Sequence, residues 1–223
     1  MTRANSPRDE NALADAVAAG AAQLGLPLSR AQCERLARFA ALLLRWNAVH
    51  NLTAIDRPED VVALHLLDSL AIVPELDALA GARPLRVLDV GAGGGLPGIP
   101  LAIARPQWLF WLIDKVQKKT AFLQQARVEL QLANVEVVRG RVETWQPAER
   151  FDVIVARAFA CLADLVAWTR HLLAPGGAWF AMKGAVPVLE IAALPADVRV
   201  RRTVKLHVPL LDGQRHLIIL ETR

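Results

Sequence analysis

The period of the apolar positions changes near residue 85. Before it they recur at helical spacing. Ser29-Arg30-Ala31-Gln32 has the form of a capping box and opens a helix whose Leu36, Phe39, Ala40, Leu43 and Leu44 share a face. That helix is expected to stop near Asn47, with His50-Asn51-Leu52-Thr53 as a polar turn. Asp56-Arg57-Pro58-Glu59 then starts another helix, through about Leu67. Ser6 before Pro7 marks the N-cap of an earlier one. From residue 85 short apolar runs alternate with helical stretches. The runs predict strands over 85–90, 108–113, 135–138, 151–156 and 178–182, and helices over 117–132 and 163–173, with Pro175-Gly176-Gly177 as punctuation. Residues 198–208 and 216–221 read as a closing antiparallel pair. The whole is an α/β chain with a parallel sheet covered on both faces. Its expected organisation is a helical cap over 1–84, continuous with a sheet domain over 85–223.

One run concentrates the chemistry: Leu85-Arg86-Val87-Leu88-Asp89-Val90-Gly91-Ala92-Gly93-Gly94-Gly95-Leu96-Pro97-Gly98-Ile99-Pro100. The strand ends in an acid and breaks into four glycines within five residues. Glycine permits positive φ and lets backbone approach a ligand with no Cβ in the way. The prolines beyond are tolerated in a first helical turn. Strand, glycine turn and helix start make a nucleotide-sized cradle at the carboxyl end of a sheet. Gly93-Gly94-Gly95-Leu96-Pro97-Gly98 also satisfies G-x-G-x-x-G, with Asp114 near the spacing of a ribose-binding acid, so an NAD(P)-dependent oxidoreductase stays open. Three features favour S-adenosylmethionine as cofactor. Asp89 precedes the loop as Asp-x-Gly-x-Gly-x-Gly, which resembles motif I of the Rossmann-like methyltransferases. The acidic turn Arg141-Val142-Glu143 follows the third strand. The chain closes with a β-pair instead of a second nucleotide-binding half. The expected fold is therefore a Rossmann-like class I methyltransferase: a seven-stranded, mostly parallel sheet with a closing antiparallel pair and an N-terminal helical cap.

The donor's groups assign roles. Gly91, Gly93 and Gly95 would lie against its methionine part, and Leu96 would form an apolar wall. Asp114 would accept from both ribose hydroxyls, although its place before a helix also suits an N-cap. Backbone amides around Val142 and Glu143 would read adenine; simple strand-end packing accounts for Val142 equally well.

At 223 residues, 54% hydrophobic and 22% charged, the chain can bury a large core, and global disorder is excluded. No apolar stretch nears the ~20 residues of a membrane span. Asp9, Glu10 and Asn11 interrupt any leader pattern. Cys33 and Cys161 lie far apart without metal-ligand neighbours, which argues against a disulfide framework or a metal site. A cytoplasmic monomer that uses neither metal nor membrane is the expectation. Net charge of +4 permits an acidic partner without demanding one. The tail cluster Arg199, Arg201, Arg202, Lys205, His207, Arg215 and His216 reads first as a solvated face, second as a phosphate track.

Several local strings narrow the reading. Trp46-Asn47-Ala48-Val49-His50-Asn51-Leu52-Thr53, His65-Leu66-Leu67-Asp68-Ser69, the glycine loop, Arg157-Ala158-Phe159-Ala160 and Met182-Lys183-Gly184 occur together. By these the chain resembles the RsmG, or glucose-inhibited division protein B, family from Leu42 to Leu220. The resemblance implies a methyltransferase acting on N7 of one guanine in 16S rRNA, in the conserved small-subunit loop near the decoding site. It implies a donor site on Gly91, Leu96, Val142, Glu143 and Arg157, and 16S rRNA or the 30S subunit as partner. Guanine N7 offers a lone pair and has no proton to lose, so no general base is required. No Ser-His-Asp or Cys-His constellation stands out, and Cys161 reads as helix core. Arg157 and Lys183 end strands on the ligand side and are positioning candidates. Arg157 would serve the donor carboxylate or an RNA phosphate, and Lys183 a phosphate or solvent. Phe159 would stack on a splayed base or pack in the core. His65, Asp68 and Ser69 tie the cap to the sheet in the preferred reading, and Asn51 caps or turns. From a different class, a donor-sensing RNA-binding module without turnover remains open.

Overall fold

A computed structural model describes residues 7–223. Helix α1 (Pro7–Gln23) begins where the sequence places it, although its expected cap, Ser6, lies outside the described residues. Helix α2 (Arg30–His50) opens on the capping box: Ser29 Oγ accepts from Gln32 N, and Gln32 Oε1 accepts from Ser29 N at 2.9 Å. The helix runs past the expected stop at Asn47. Asn51 adopts the left-handed region (φ 50°) and its N–H closes on Asn47 O, which moves the terminus to His50. The Asn47 side chain instead pins the following turn, accepting from Thr53 N at 2.8 Å and donating to Ile55 O at 3.2 Å.

The next helix is α3 (Pro58–Val61), a π-helical stretch over Val62–Leu67 and α4 (Asp68–Leu70), followed by α5 (Val73–Ala80). It outlasts the expected end at Leu67 because the change of helical register carries it on into Asp68.

The sheet contains β1 (Arg86–Val90), β2 (Leu109–Asp114), β3 (Val135–Arg139), β4 (Phe151–Arg157), β5 (Leu173–Lys183), β6 (Val198–Leu206) and β7 (Arg215–Thr222). Their order is β3-β2-β1-β4-β5-β7-β6, parallel from β3 to β5, with β7 antiparallel to both neighbours. Side chains alternate between the faces with period two. Val87, Phe110, Leu112, Val153 and Phe180 pack beneath α1, α2, α6 (Gly98–Ala104) and α7 (Gln117–Glu129). Leu88, Ile113, Ile154, Trp179 and Ile218 face α8 (Leu162–Thr169).

Three local expectations are corrected. Pro175-Gly176-Gly177 does not precede β5 but lies inside it: pairing jumps from Phe151↔Leu173 to Val153↔Ala178, and Gly176 (φ +76°) absorbs the bulge. Cys161 is exposed rather than core. It caps α8, its Sγ accepting from Asp164 N at 3.4 Å, and 170–172 tighten into a 3₁₀ turn before β5. A short helix, α9 (Val188–Ala192), follows β5 without a sequence signal that announced it. Among the described residues no helix is long and apolar enough to cross a membrane.

Gln32 does more than complete the cap. Its Nε2 donates to Ile103 O and Ala104 O, the last carbonyls of α6, at 2.9 and 3.1 Å. Ser29→Ala should cost about 1 kcal/mol in urea unfolding. Gln32→Ala should cost roughly 1 kcal/mol more, since it also strips those carbonyls of their donor.

Candidate active site

The glycine loop leaves the carboxyl end of β1 and is held against β2. Gly91 N and Ala92 N both donate to Ile113 O, at 2.9 and 3.1 Å. Gly91, Gly93 and Gly95 take φ of +66°, +54° and +77°. At Gly91 the requirement is steric as well, because a Cβ there would lie 2.3 Å from Phe159 Cδ2. Two carboxylates fasten the loop. Asp114 Oδ2 accepts from Gly93 N at 3.0 Å, and Asp89 Oδ2 accepts from Gly98 N at 2.9 Å.

A cavity of about 220 Å³ opens beside this loop, with Gly91, Asp114, Val142, Glu143, Phe159 and Trp168 in its wall. Gly91, Asp114, Val142 and Glu143 thus converge as the sequence led us to expect. Asp114 is 6% exposed and does not cap α7, whose N-cap is Val116. Its Oδ1 accepts from Val116 N at 2.8 Å and Lys119 Nζ lies 3.8 Å from Oδ2, so acceptor capacity remains. Val142 is buried and opens the 3₁₀ turn Val142–Thr144. A backbone hydrogen bond, and then Arg141 at 3.0 Å, holds the Glu143 carboxyl below the usual range.

Other expected residues fall outside the cavity wall. Gly95 packs where a Cβ would meet Ile99 Cδ1 at 2.6 Å, and Leu96 is buried in the core. Gly93 lies behind the wall, its N–H held by Asp114 and its Cα close to Lys119. Lys183 ends β5 with Nζ bound to Glu190 at 2.8 Å and to Ala160 O at 3.2 Å. Arg157 ends β4, donating through Nη1 to Asp68 Oδ2 at 3.1 Å and to Leu64 O at 3.2 Å. Arg215 Nε donates to the other oxygen of Asp68, also at 3.1 Å.

His65 lies beside that joint. Leu64 O can only accept, so His65 Nδ1 carries the proton and donates to it at 2.9 Å. Nε2 is then the acceptor for Thr53 Oγ1 at 2.7 Å. Burial, and then the Arg157 charge, push the His65 pKa down to about 4, which keeps this ring neutral.

Sequence reasoning left Trp168 and Lys119 out of the site and treated Phe159 as undecided. Ala158 occupies the left-handed region (φ 50°) between Arg157 and Phe159, a turn with no glycine to announce it. It also missed the state of Asp89. Burial raises its pKa to about 7 against the opposing pull of Gly98 N–H and Arg157, and Oδ1 has no hydrogen-bond partner.

A glycine loop after β1, acids closing β1 and β2, and a reversed β7 beyond five parallel strands define an S-adenosylmethionine-dependent methyltransferase of the Rossmann-like class. The reversal separates it from the two-half sheet of nicotinamide enzymes. Solved structures share the fold. The N-methyltransferase NodS from Bradyrhizobium japonicum, in complex with S-adenosyl-l-homocysteine, matches with a TM-score of 0.55 at 15% identity, covering 79% of this chain and 97% of that one. TrmN from Thermus thermophilus matches with a TM-score of 0.53 at 21% identity, over 73% of this chain and 53% of that one. The chain belongs to the GidB family, rRNA small subunit methyltransferase G, whose family model matches residues 32–218. Two proteins called ribosomal RNA small subunit methyltransferase G are among its relatives. That of Burkholderia multivorans is 56% identical over 203 residues, covering 89% of this chain and 88% of its own. That of Burkholderia ambifaria is 53% identical over 223 residues, covering 98% and 96%.

Asp89 gives a pH prediction. With a native pKa of about 7 against 3.8 for the free group, the native state holds the extra proton between those values, and stability falls as pH rises through that window. Asp89→Asn is neutral throughout. Urea unfolding of the donor-free protein should therefore show the variant gaining on the wild type from pH 4 to 7, then a constant difference. A gain for the wild type over that range would contradict the assignment.

Proposed function

We propose that the protein methylates N7 of a guanine in 16S rRNA, in the conserved small-subunit loop near the decoding site, with S-adenosylmethionine seated in the cavity beside the glycine loop. The observation that carries this reading is the meeting of Gly91, Asp114 and the Val142–Glu143 turn in one cavity at the carboxyl ends of β1 and β2. Family membership supports small-subunit rRNA as substrate, and the motif resemblance supports guanine N7.

The residues fit the donor. Gly91 stands in the cavity wall against Phe159, and Asp114 keeps lone pairs for ribose hydroxyls after serving Gly93 and Val116. Asp89 Oδ1, buried beneath the loop, has no hydrogen-bond partner. When bound, the donor supplies an electrophilic methyl group on a sulfonium. Gly93, Gly95 and Leu96 shape the loop, while Val142 and Glu143 border the adenine end. Arg157 offers a cation to the donor carboxylate or an RNA phosphate, and Lys183 would exchange Glu190 for phosphate. Because N7 has no proton to remove, these groups have only to align the reactants, a contribution on the order of 7–11 kcal/mol. In this reading residues 1–84 are a cap continuous with a catalytic domain over 85–223, the protein acts as a cytoplasmic monomer, and 16S rRNA is met free or within the 30S subunit.

Labelled methyl transfer to small-subunit rRNA from cells lacking this activity, followed by mapping of the modified nucleotide, tests the proposal. One N7-methylguanine is expected, and label on another atom or base would refute it. Asp114→Asn should weaken donor binding tenfold or more by calorimetry, a loss of about 1.4 kcal/mol. Unchanged affinity would remove Asp114 from the site.

A further inference from the structure

We infer that Asp68 is a positioning residue for methyl transfer: its carboxylate, set on the helical layer, holds the Arg157 guanidinium at the end of β4, the strand beside β1 and its glycine loop, for use by donor or substrate. This rests on the functional reading above. Arg157 has five N–H donors, and its protein bonds all fall on Nη1, which serves Asp68 Oδ2 and Leu64 O. Nε and Nη2 have no hydrogen-bond partner among the described residues. A guanidinium gripped at one nitrogen and open at the others has a fixed direction and spare donors for an incoming anion.

Asp68 suits this task by where it stands. It follows the π-helical stretch Val62–Leu67 directly, and its side chain is 4% exposed. Its two oxygens hold two different strand ends, Arg157 closing β4 and Arg215 opening β7. Leu64 O, from the same π-helical stretch, makes the third contact and is shared with neutral His65. Two guanidiniums on one carboxylate leave one positive charge in excess at the joint. Asp89 pairs with Val155 in the parallel register, so Arg157, two residues further along β4, ends its strand level with Gly91, which puts that excess beside the glycine loop. A joint built only to hold helices to a sheet gains little from such a set, since buried ion pairs repay their desolvation poorly beside apolar packing. An excess cation with open donors suits a carboxylate or phosphate arriving at the site.

A double-mutant cycle on the full-length enzyme tests this, with small-subunit rRNA and S-adenosylmethionine as substrates and calorimetry for donor binding. The wild type is assayed first on the free RNA and on 30S subunits, and the cycle is run on whichever it methylates: if it transfers no methyl group to either, the functional reading fails, separately from the inference about Asp68. With an active wild type, Asp68→Asn should lower kcat/KM tenfold or more. The loss should fall in the same parameter, kcat or KM, that Arg157→Gln changes. The double variant should lie within twofold of Arg157→Gln alone, because the second change removes an aim that no longer has an object. Losses that multiply in the double variant would show Asp68 acting independently of Arg157 and overturn the inference. Asp68→Glu guards against loss of fold: it keeps the charge but lengthens the arm by one methylene, so melting should change little while kcat/KM falls in that same parameter. Full activity in Asp68→Glu would equally overturn it.

Discussion

A loop that turns away from a sheet carries its backbone N–H groups away from strand partners, and buried N–H groups must be paired. Here the partners are supplied by the ends of two adjacent strands. Ile113 O takes Gly91 N and Ala92 N, Asp114 takes Gly93 N, and Asp89 takes Gly98 N. Because β1 and β2 are in parallel register, with Asp89 opposite Leu112 and Val90 opposite Ile113, these acceptors sit at fixed offsets from the glycines. Strand pairing therefore dictates the loop's shape. Positive φ at Gly91, Gly93 and Gly95 is the conformation that lets the amides reach those acceptors.

The helices preceding the sheet act on the same loop. A Cβ on Gly94 would lie 3.2 Å from Leu43 Cδ1, so α2 roofs the loop closely. Gln32, at the start of α2, holds the last carbonyls of α6, the helix that grows out of the loop. Trp46 packs edge-on against Phe122 of α7 with centroids 5.6 Å apart, the kind of aromatic contact worth about 0.5–1.5 kcal/mol beyond its buried area. At the other side, Asp68 reaches from α4 to the ends of β4 and β7. All but the tie to β7 land on an element that begins or ends at the loop, or at a strand beside it.

Most of this architecture was legible because periodicity records which face is buried. The strands, the capping box and the reversed terminal pair follow from local pattern alone. What escaped depends on tertiary neighbours. Pro175-Gly176-Gly177 reads as a break, yet β4 offers pairing on both sides of it and the strand bulges through. Cys161 looks apolar, but α8 starts one residue later and its exposed sulfur meets an unpaired Asp164 N–H. Leu96 has the loop's sequence position, yet its side chain packs in the core and not in the cavity wall. Asp114 was weighed as ligand or cap and does a third thing locally, holding Gly93 and Val116 together. The raised pKa of Asp89 has no sequence signal, because it arises from burial.

The make-up of the cavity wall bears on the chemistry that can occur there. No histidine or cysteine lines it, and His65 is engaged elsewhere by Thr53 and Leu64 O. Of the two wall carboxylates, Asp114 holds two backbone N–H groups and Glu143 pairs with Arg141. A nucleophile that had to lose a proton before attack would find no histidine or cysteine among the described wall residues to take it. Guanine N7 asks for none: its lone pair is already free, and the barrier that remains is one of approach and direction. Fixed backbone and strand-anchored carboxylates resist displacement, and that rigidity is what alignment demands. The same interactions that satisfy the loop's amides thus furnish the stiffness the proposed reaction uses, so holding the loop and aiming the reactants are two consequences of one set of hydrogen bonds.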